Sequence, residues 1–314
     1  MTRPRAEAEA GGFGVKFGRA GPITRVPRPV TRRAILSGGL TIAAAFSTGV
    51  CHLRASQPVQ VGLTPVFLTN DLELLSSLRS YLSRAWRRDV QLVTRRTYQE
   101  ITTLLLAGQI DAAWICGYPY VQFRERLDLL AVPVWQGQPL YRSYVIVDAS
   151  REAEYFKDLK GDVHAFSDPD SNSGFLVTRD LLADLRTRPE TFFRHSFYTY
   201  GHRDVVRAVA SGLAQSGSVD GYVWEVLAET EPALTARTRV LRRSELLGFP
   251  PIASGHNRLG GLASAELAKA FLEMSQDGEG KRVLAALRLD GFTPGDPSLF
   301  DTIAAKVEHV RRVG

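Results

Sequence analysis

A chain of 314 residues, 44% hydrophobic and 23% charged, can bury a sizeable core and has the length for about two domains. Its formal net charge of +6 is unevenly spread: residues 1–56 hold 9 of the 39 Lys and Arg but 2 of the 33 Asp and Glu, which leaves 30 basic against 31 acidic residues in the remainder. A near-neutral body with no basic stripe interleaved with aromatics argues against nucleic acid as a partner.

The leader reads as a targeting segment. Residues 1–33 are rich in Arg, Gly and Pro and run into Thr31-Arg32-Arg33-Ala34-Ile35-Leu36, a weakly apolar stretch to Val50 and a polar exit at His52 to Gln57. A charged start, a short apolar run and paired arginines predict an export signal of the twin-arginine kind over 1–56, and hence an extracytoplasmic protein. The alternatives are an uncleaved anchor, for which 34–50 is short, and lipidation of Cys51, where Val50 departs from the usual small residue. Either way, membrane contact is expected only through the leader or a partner. Cys116 is then the one cysteine of the body, which precludes an internal disulfide, and in the run Ala112-Ala113-Trp114-Ile115-Cys116 it reads as a buried strand residue rather than a nucleophile.

Val59 to Leu63 alternates as a first strand, and a helix follows from Asp71 with Leu72, Leu75, Leu78, Tyr81 and Leu82 on one face. Val90 to Val93 is a second strand. Thr97-x-x-Glu100 has the spacing of a capping box and opens a helix over 101–107, and Ile110 to Ile115 is a third strand. This β-α-β-α-β order predicts a mostly parallel sheet with ligands at the carboxyl ends of its strands, where the Thr64 loop, the Tyr98 helix start and a Gly117 to Tyr120 turn share one rim. Strands are expected at 127–135 and 144–148, then a helix at 155–159 and a strand at 163–166. Further on come a strand at 197–200, a helix at 202–211, a strand at 219–224, a helix at 225–229 and a strand at 238–241. Gly248-Phe249-Pro250-Pro251 interrupts the pattern before helices at 263–274, 280–287 and 302–310.

Within this order, Ser167 to Asp180 (SDPDSNSGFLVTRD) compresses a strand end, a turn and a helix start into one segment. Asp168-Pro169-Asp170 is turn chemistry, and Ser171, Asn172 and Ser173 sit where a helix N-cap and its unpaired N–H groups are expected. Such a start is either a plain cap or an anion site, since free N–H groups and the positive dipole end point at the same place.

Taken together, Gly62-Leu63-Thr64-Pro65, Thr97-Tyr98, Asp111-Ala112-Ala113-Trp114, Tyr118 to Val121, Tyr141-Arg142-Ser143, Ser167-Asp168-Pro169, Ser171-Asn172-Ser173-Gly174, Gly201-His202, Val219-Asp220, Phe249-Pro250-Pro251 and Leu289-Asp290-Gly291-Phe292 resemble the phosphate/phosphite/phosphonate-type substrate-binding proteins of ABC importers, over nearly all of 58–300. The resemblance implies the α/β, two-lobed class II periplasmic binding protein fold, each lobe a mixed, mostly parallel sheet flanked by helices. Lobe 1 would be 57–140 plus 246–314 and lobe 2 141–245, with hinge crossings near 136–143 and 244–252. It also implies that an oxyanion meets Ser171, Asn172 and Ser173 at the helix start, His202 from the next helix start, and Tyr98 and Tyr141 from the other lobe, with Asp220 accepting from the ligand or orienting a donor.

Each of these residues has a plainer reading: interface tyrosines, a helix-cap histidine, a carboxylate that only orients a neighbour. Trp114 and Trp224 read as packing, and His52, His164, His195 and His256 lack metal-site spacing, so neither a metal nor a cofactor is expected. In the resembled family, members that capture aminoalkylphosphonates place carboxylates where the ammonium lies; the segment Pro250 to Asn257, PPIASGHN, offers none, which leaves Asp220 and Glu225 as the nearby candidates, so the resemblance implies phosphate, phosphite or a short alkylphosphonate. The expected partner is an ABC permease or, alternatively, a membrane sensor kinase. With no Ser-His-Asp order, carboxylate pair or metal spacing, an enzyme is not expected.

Overall fold

The computed structural model describes residues 58–65, 72–256 and 258–313; the predicted export signal, Cys51, Asp71 and Asn257 lie outside them. Strands β1 (Val59–Leu63), β2 (Val90–Thr94) and β3 (Ala112–Trp114) alternate with helices Leu72–Trp86 and Tyr98–Leu106, and they pair in parallel with Val61 opposite Leu92 and Leu63 opposite Trp114. The first helix buries Leu74, Leu78, Tyr81, Leu82 and Trp86 on one face; of the face expected from the spacing, Leu72 is exposed at the helix start and Leu75 half-buried. The second is fixed by its cap: the Thr97 side chain accepts from the Glu100 N–H while the Glu100 carboxylate accepts from the Thr97 N–H at 3.0 Å.

The chain then runs through the short helix Gly117–Phe123, predicted as a turn, into β4 (Leu127–Val134) and the two-residue β5 (Leu140–Tyr141). From there β6 (Ser143–Asp148), β7 (Val163–Phe166), β8 (His195–Tyr198), β9 (Ser216–Asp220) and β10 (Thr238–Arg243) form a second sheet in the order β10-β6-β9-β7-β8. The return passes β11 (Leu247–Gly248), then β12 (Ile252–Gly255), and after two helices ends with β13 (Gly291–Pro294) and the C-terminal helix Asp301–Val313. The first sheet is therefore β13-β4-β12-β3-β1-β2.

Both sheets are mixed. β1, β2 and β3 are mutually parallel, as are β7, β8 and β9, while β12, β4 and β13, and β6 and β10, are added antiparallel. The sheets are less parallel than the alternation alone predicts, because β12, inserted between β3 and β4, and β6, inserted between β9 and β10, each run opposite to both neighbours, and β13 runs opposite to β4. β5 and β11 form a separate antiparallel ladder where the chain crosses between the sheets, with Leu247 opposite Tyr141. This two-sheet arrangement with flanking helices is the predicted two-lobed class.

Several boundaries differ by a few residues, most where β9 meets the next helix. The strand expected over 219–224 ends at Asp220, and a helix runs Gly221–Thr230, because the Asp220 carboxylate accepts from the Val223 N–H at 3.3 Å and so caps a new helix. Tyr222, Val223, Val226 and Leu227 are that helix's buried face. Trp114 and Trp224 pack as expected: the Trp114 indole donates to the Pro250 carbonyl at 2.8 Å, and that of Trp224 to the Thr238 hydroxyl at 3.2 Å.

Candidate functional site

The carboxyl ends of the parallel strands in both sheets converge on one point. β7 ends at Phe166 and turns through Ser167 to Asp170 into the helix that starts at Ser171; β9 ends at Asp220; β8 leads through Tyr200 and Gly201 to His202. Tyr200 takes the left-handed conformation, φ 59°, and donates its N–H to the Ser167 carbonyl at 2.6 Å, which ties the two loops together. From the first sheet, β2 leads to Tyr98 and β3 to Cys116, and the β5 ladder supplies Tyr141.

All seven predicted residues lie in this cluster, each 2% exposed or less. The Ser171 hydroxyl accepts from the Gly174 N–H at 2.9 Å, so its side chain caps the helix. The first turn, Asn172–Leu176, is wound as a π-helix, with the Leu176 N–H donating to the Ser171 carbonyl at 3.0 Å. The wide turn leaves the Asn172 N–H to the sulfur of Cys116 at 3.2 Å, a weak acceptor. The Asn172 amide donates to the Tyr141 hydroxyl at 2.9 Å. The Ser173 hydroxyl reaches Asp220 Oδ2 at 3.4 Å, and its carbonyl accepts from the Ser143 hydroxyl at 2.6 Å.

His202 is held from behind. Its Nδ1 accepts the backbone N–H of Asp220 at 3.0 Å, so the ring proton resides on Nε2, which lies 3.1 Å from the Tyr98 hydroxyl oxygen and donates to it. The Tyr98 oxygen thereby accepts from His202 and keeps its own O–H as a donor. Tyr98 is also fixed by its backbone, whose N–H donates to Asp168 Oδ2 at 3.1 Å.

Burial decides the charge states. It pulls the His202 imidazole down to about 3 and lifts both tyrosines well above their usual range, so all three are neutral donors near pH 7. Burial likewise pushes Asp220 up to about 7, against the N–H groups of Val223 and Tyr222 and the Ser173 hydroxyl, which pull it back. The Cys116 thiol is pushed up to about 12, again mainly by burial, which makes it a poor nucleophile. Two buried polar atoms here, Ser167 Oγ and Asn172 Oδ1, have no hydrogen-bond partner among the described residues. Such atoms are rare in folded proteins, where a buried polar group nearly always has a partner.

Three members of the cluster were not singled out by the sequence. Asp168 reads there only as a turn residue, Ser143 only as part of a motif and Cys116 only as core. The one available signal was position: Cys116 and Asp168 each lie two residues beyond the end of a parallel strand. Glu225, named as a possible carboxylate for a ligand amine, instead accepts the Tyr144 hydroxyl at 2.8 Å.

The two sheets and the ladder between them define a periplasmic binding protein fold. The profile of the family described as ABC transporter, phosphonate, periplasmic substrate-binding protein matches residues 61–300, and the chain belongs to that family. Among solved structures, a binding protein component of an ABC phosphonate transporter from Pseudomonas aeruginosa is similar with TM-score 0.75 at 21% identity, covering 82% of this chain and 88% of that one. PhnD1 from Prochlorococcus marinus in complex with methylphosphonate gives 0.72 at 18% identity, over 81% of this chain and 98% of its own. A Xanthomonas citri protein bound to ATP gives 0.66 at 17%, over 82% and 98%. These likenesses show the fold. The family is one of transport rather than catalysis and implies an extracytoplasmic location; among the described residues no helix is long and apolar enough to cross a membrane.

Proposed function

We propose that this protein captures a small phosphorus oxyanion, namely phosphate, phosphite or a short alkylphosphonate, between its two lobes and delivers it to an ABC permease. The lobes in this reading are 57–140 with 246–314, and 141–245, and residues 1–56 direct export. Tyr98, Tyr141, Ser171, Asn172, Ser173, His202 and Asp220 hold the ligand. The observation that carries the reading is the convergence of neutral donors from both lobes on one helix start. Hydroxyls and the Asn172 amide, aided by the helix dipole and with the His202 N–H aligning the Tyr98 hydroxyl, bind a phosphoryl group in a low-dielectric site without a permanent salt bridge. Asp220 accepts from the Ser173 hydroxyl and the Val223 N–H, Asp168 from the N–H groups of Tyr98 and Asp170, and Glu225 from the Tyr144 hydroxyl, so each nearby carboxylate already serves a partner within the protein.

Calorimetry on the purified protein with phosphate, phosphite, methylphosphonate, an aminoalkylphosphonate and sulfate tests this. Binding confined to the first three is expected. Binding only of the amine-bearing or sulfur ligands would overturn it.

A further inference from the structure

The helix that starts at the candidate site carries, two turns beyond Ser173, a carboxylate with no part in the cluster. Asp180 is 9% exposed, and both its oxygens are taken by the C-terminal helix: Oδ2 by Lys306 Nζ at 2.6 Å and Oδ1 by His309 Nδ1 at 2.7 Å. Lys306 also reaches Glu245 Oε1 at 2.5 Å, in the segment that returns from β10 to β11. The Lys306 and Asp180 side chains are 11% and 13% exposed, so this pair is largely out of water, unlike the mostly half-exposed ion pairs elsewhere on the surface.

An adjoining face of the same C-terminal helix is seated on the first lobe. Ile303 packs so closely on Gly117 that a Cβ there would lie 2.7 Å from its Cδ1, and Phe300, just before the helix, packs on Tyr120 with ring centroids 4.6 Å apart. Gly117 follows Cys116, the residue that accepts the Asn172 N–H. The C-terminal helix thus joins, on adjoining faces, the segment behind Cys116 and the shaft of the helix that presents Ser171 to Ser173.

We infer that Lys306 and His309 are positioning residues for ligand capture, gripping Asp180 so that the start of the site helix is held against the first lobe. The ligand half of this inference rests on the function proposed above; the positional half does not. A buried lysine paired with two carboxylates is a strong tie once made, because separating them leaves charges stranded in a poorly solvated place. Loss of Lys306 frees the helix start without touching the donors themselves.

Hydrogen exchange by mass spectrometry on the full-length chain, paired with stopped-flow release of methylphosphonate, tests it. In Lys306→Met the amides of residues 171–180 should exchange about tenfold faster while those of β7 and β9 keep wild-type protection. Methylphosphonate should leave about tenfold faster with an association rate within about twofold of wild type. Lys306→Arg should restore both readouts to within about threefold, since it keeps the charge. Should Lys306→Met fail to fold, His309→Gln, which removes the more exposed grip, should show about a threefold gain in the same peptide. Unchanged exchange at 171–180, or acceleration that spreads equally over β7 and β9, overturns the inference. If the wild-type chain binds no methylphosphonate, the proposed ligand class fails while the exchange measurement still decides the role of Lys306.

Discussion

Gly174 shows how little room the candidate site leaves at its base. A Cβ there would lie 1.8 Å from Ser167 Oγ and 3.0 Å from His202 Cε1, so no side chain fits without displacing a residue of the cluster. Its N–H is meanwhile committed to the Ser171 hydroxyl. Gly174→Ala should therefore destabilise the fold by about 1–3 kcal/mol, the usual cost of overpacking. It should also weaken oxyanion binding more than that loss of stability accounts for, because Ser167 and His202 must both retreat. Urea denaturation and calorimetry on the same preparation check this, and a variant with wild-type values in both would show that the turn is looser than its contacts indicate. Ser167→Gly, which vacates the space, should recover part of both losses when combined with it.

Among elements, the helix Tyr98–Leu106 couples stability to the site most directly. Its capping box is local, formed by Thr97 and Glu100, yet the next N–H, that of Tyr98, is satisfied from the opposite lobe by Asp168. Thr97→Ala should cost about 1 kcal/mol of stability, the typical loss for a cap of this kind, as read from the shift of a urea midpoint at unchanged slope. Because Tyr98 is the first residue of that helix, fraying there should also weaken ligand binding several-fold. A stability loss with wild-type binding would mean that Asp168 alone holds Tyr98 in place.

The same element shows what the sequence could convey. The capping box is a four-residue pattern and was legible, as were β1, β2, β7 and the amphipathic helices, whose signals are contained in one window. The ladder of β5 and β11 was not, since two-residue strands have no period. Nor was β12: Ile252–Gly255 lies between β3 and β4 and is buried along three of its four residues, so it shows no alternation, and the prolines before it read as a break. In the candidate site, the helix-start residues announced themselves by type. Cys116 and Asp168 act on partners 56 and 70 residues away, Asn172 and Tyr98, and only the folded chain makes such pairings visible.

For the whole molecule, the buried titratable groups set an acid limit to stability. His164 and His202 are both held at about 3 by burial, against 6.5 for an unperturbed histidine. Between those values the unfolded chain takes up protons that the folded chain refuses, so each histidine makes stability rise with pH by up to about 1.4 kcal/mol per unit. Asp220 acts in the opposite sense: with its folded value near 7 and its unperturbed value at 3.8, the folded chain holds the extra proton, and stability falls as pH rises through that window. Asp168 and Asp170, also raised mainly by burial, flatten the rise at its acidic end. Two histidines against one strongly shifted carboxylate leave a net gain of about 1.4 kcal/mol per unit near pH 5, which shrinks as the unfolded-state histidines lose their protons, and a shallow maximum near pH 7, above which Asp220 dominates. Urea midpoints measured between pH 4.5 and 8 should trace this curve. His164 sits outside the candidate site, hydrogen-bonded to Ser216 and Ser218 at 2.8 Å each, so His164→Gln separates the two histidines: it should lower the slope below pH 6 by about 1.4 kcal/mol per unit and leave the decline above about pH 7.5 untouched. An unaltered slope in that variant would mean that His164 is charged or solvated in the folded protein, contrary to its complete burial.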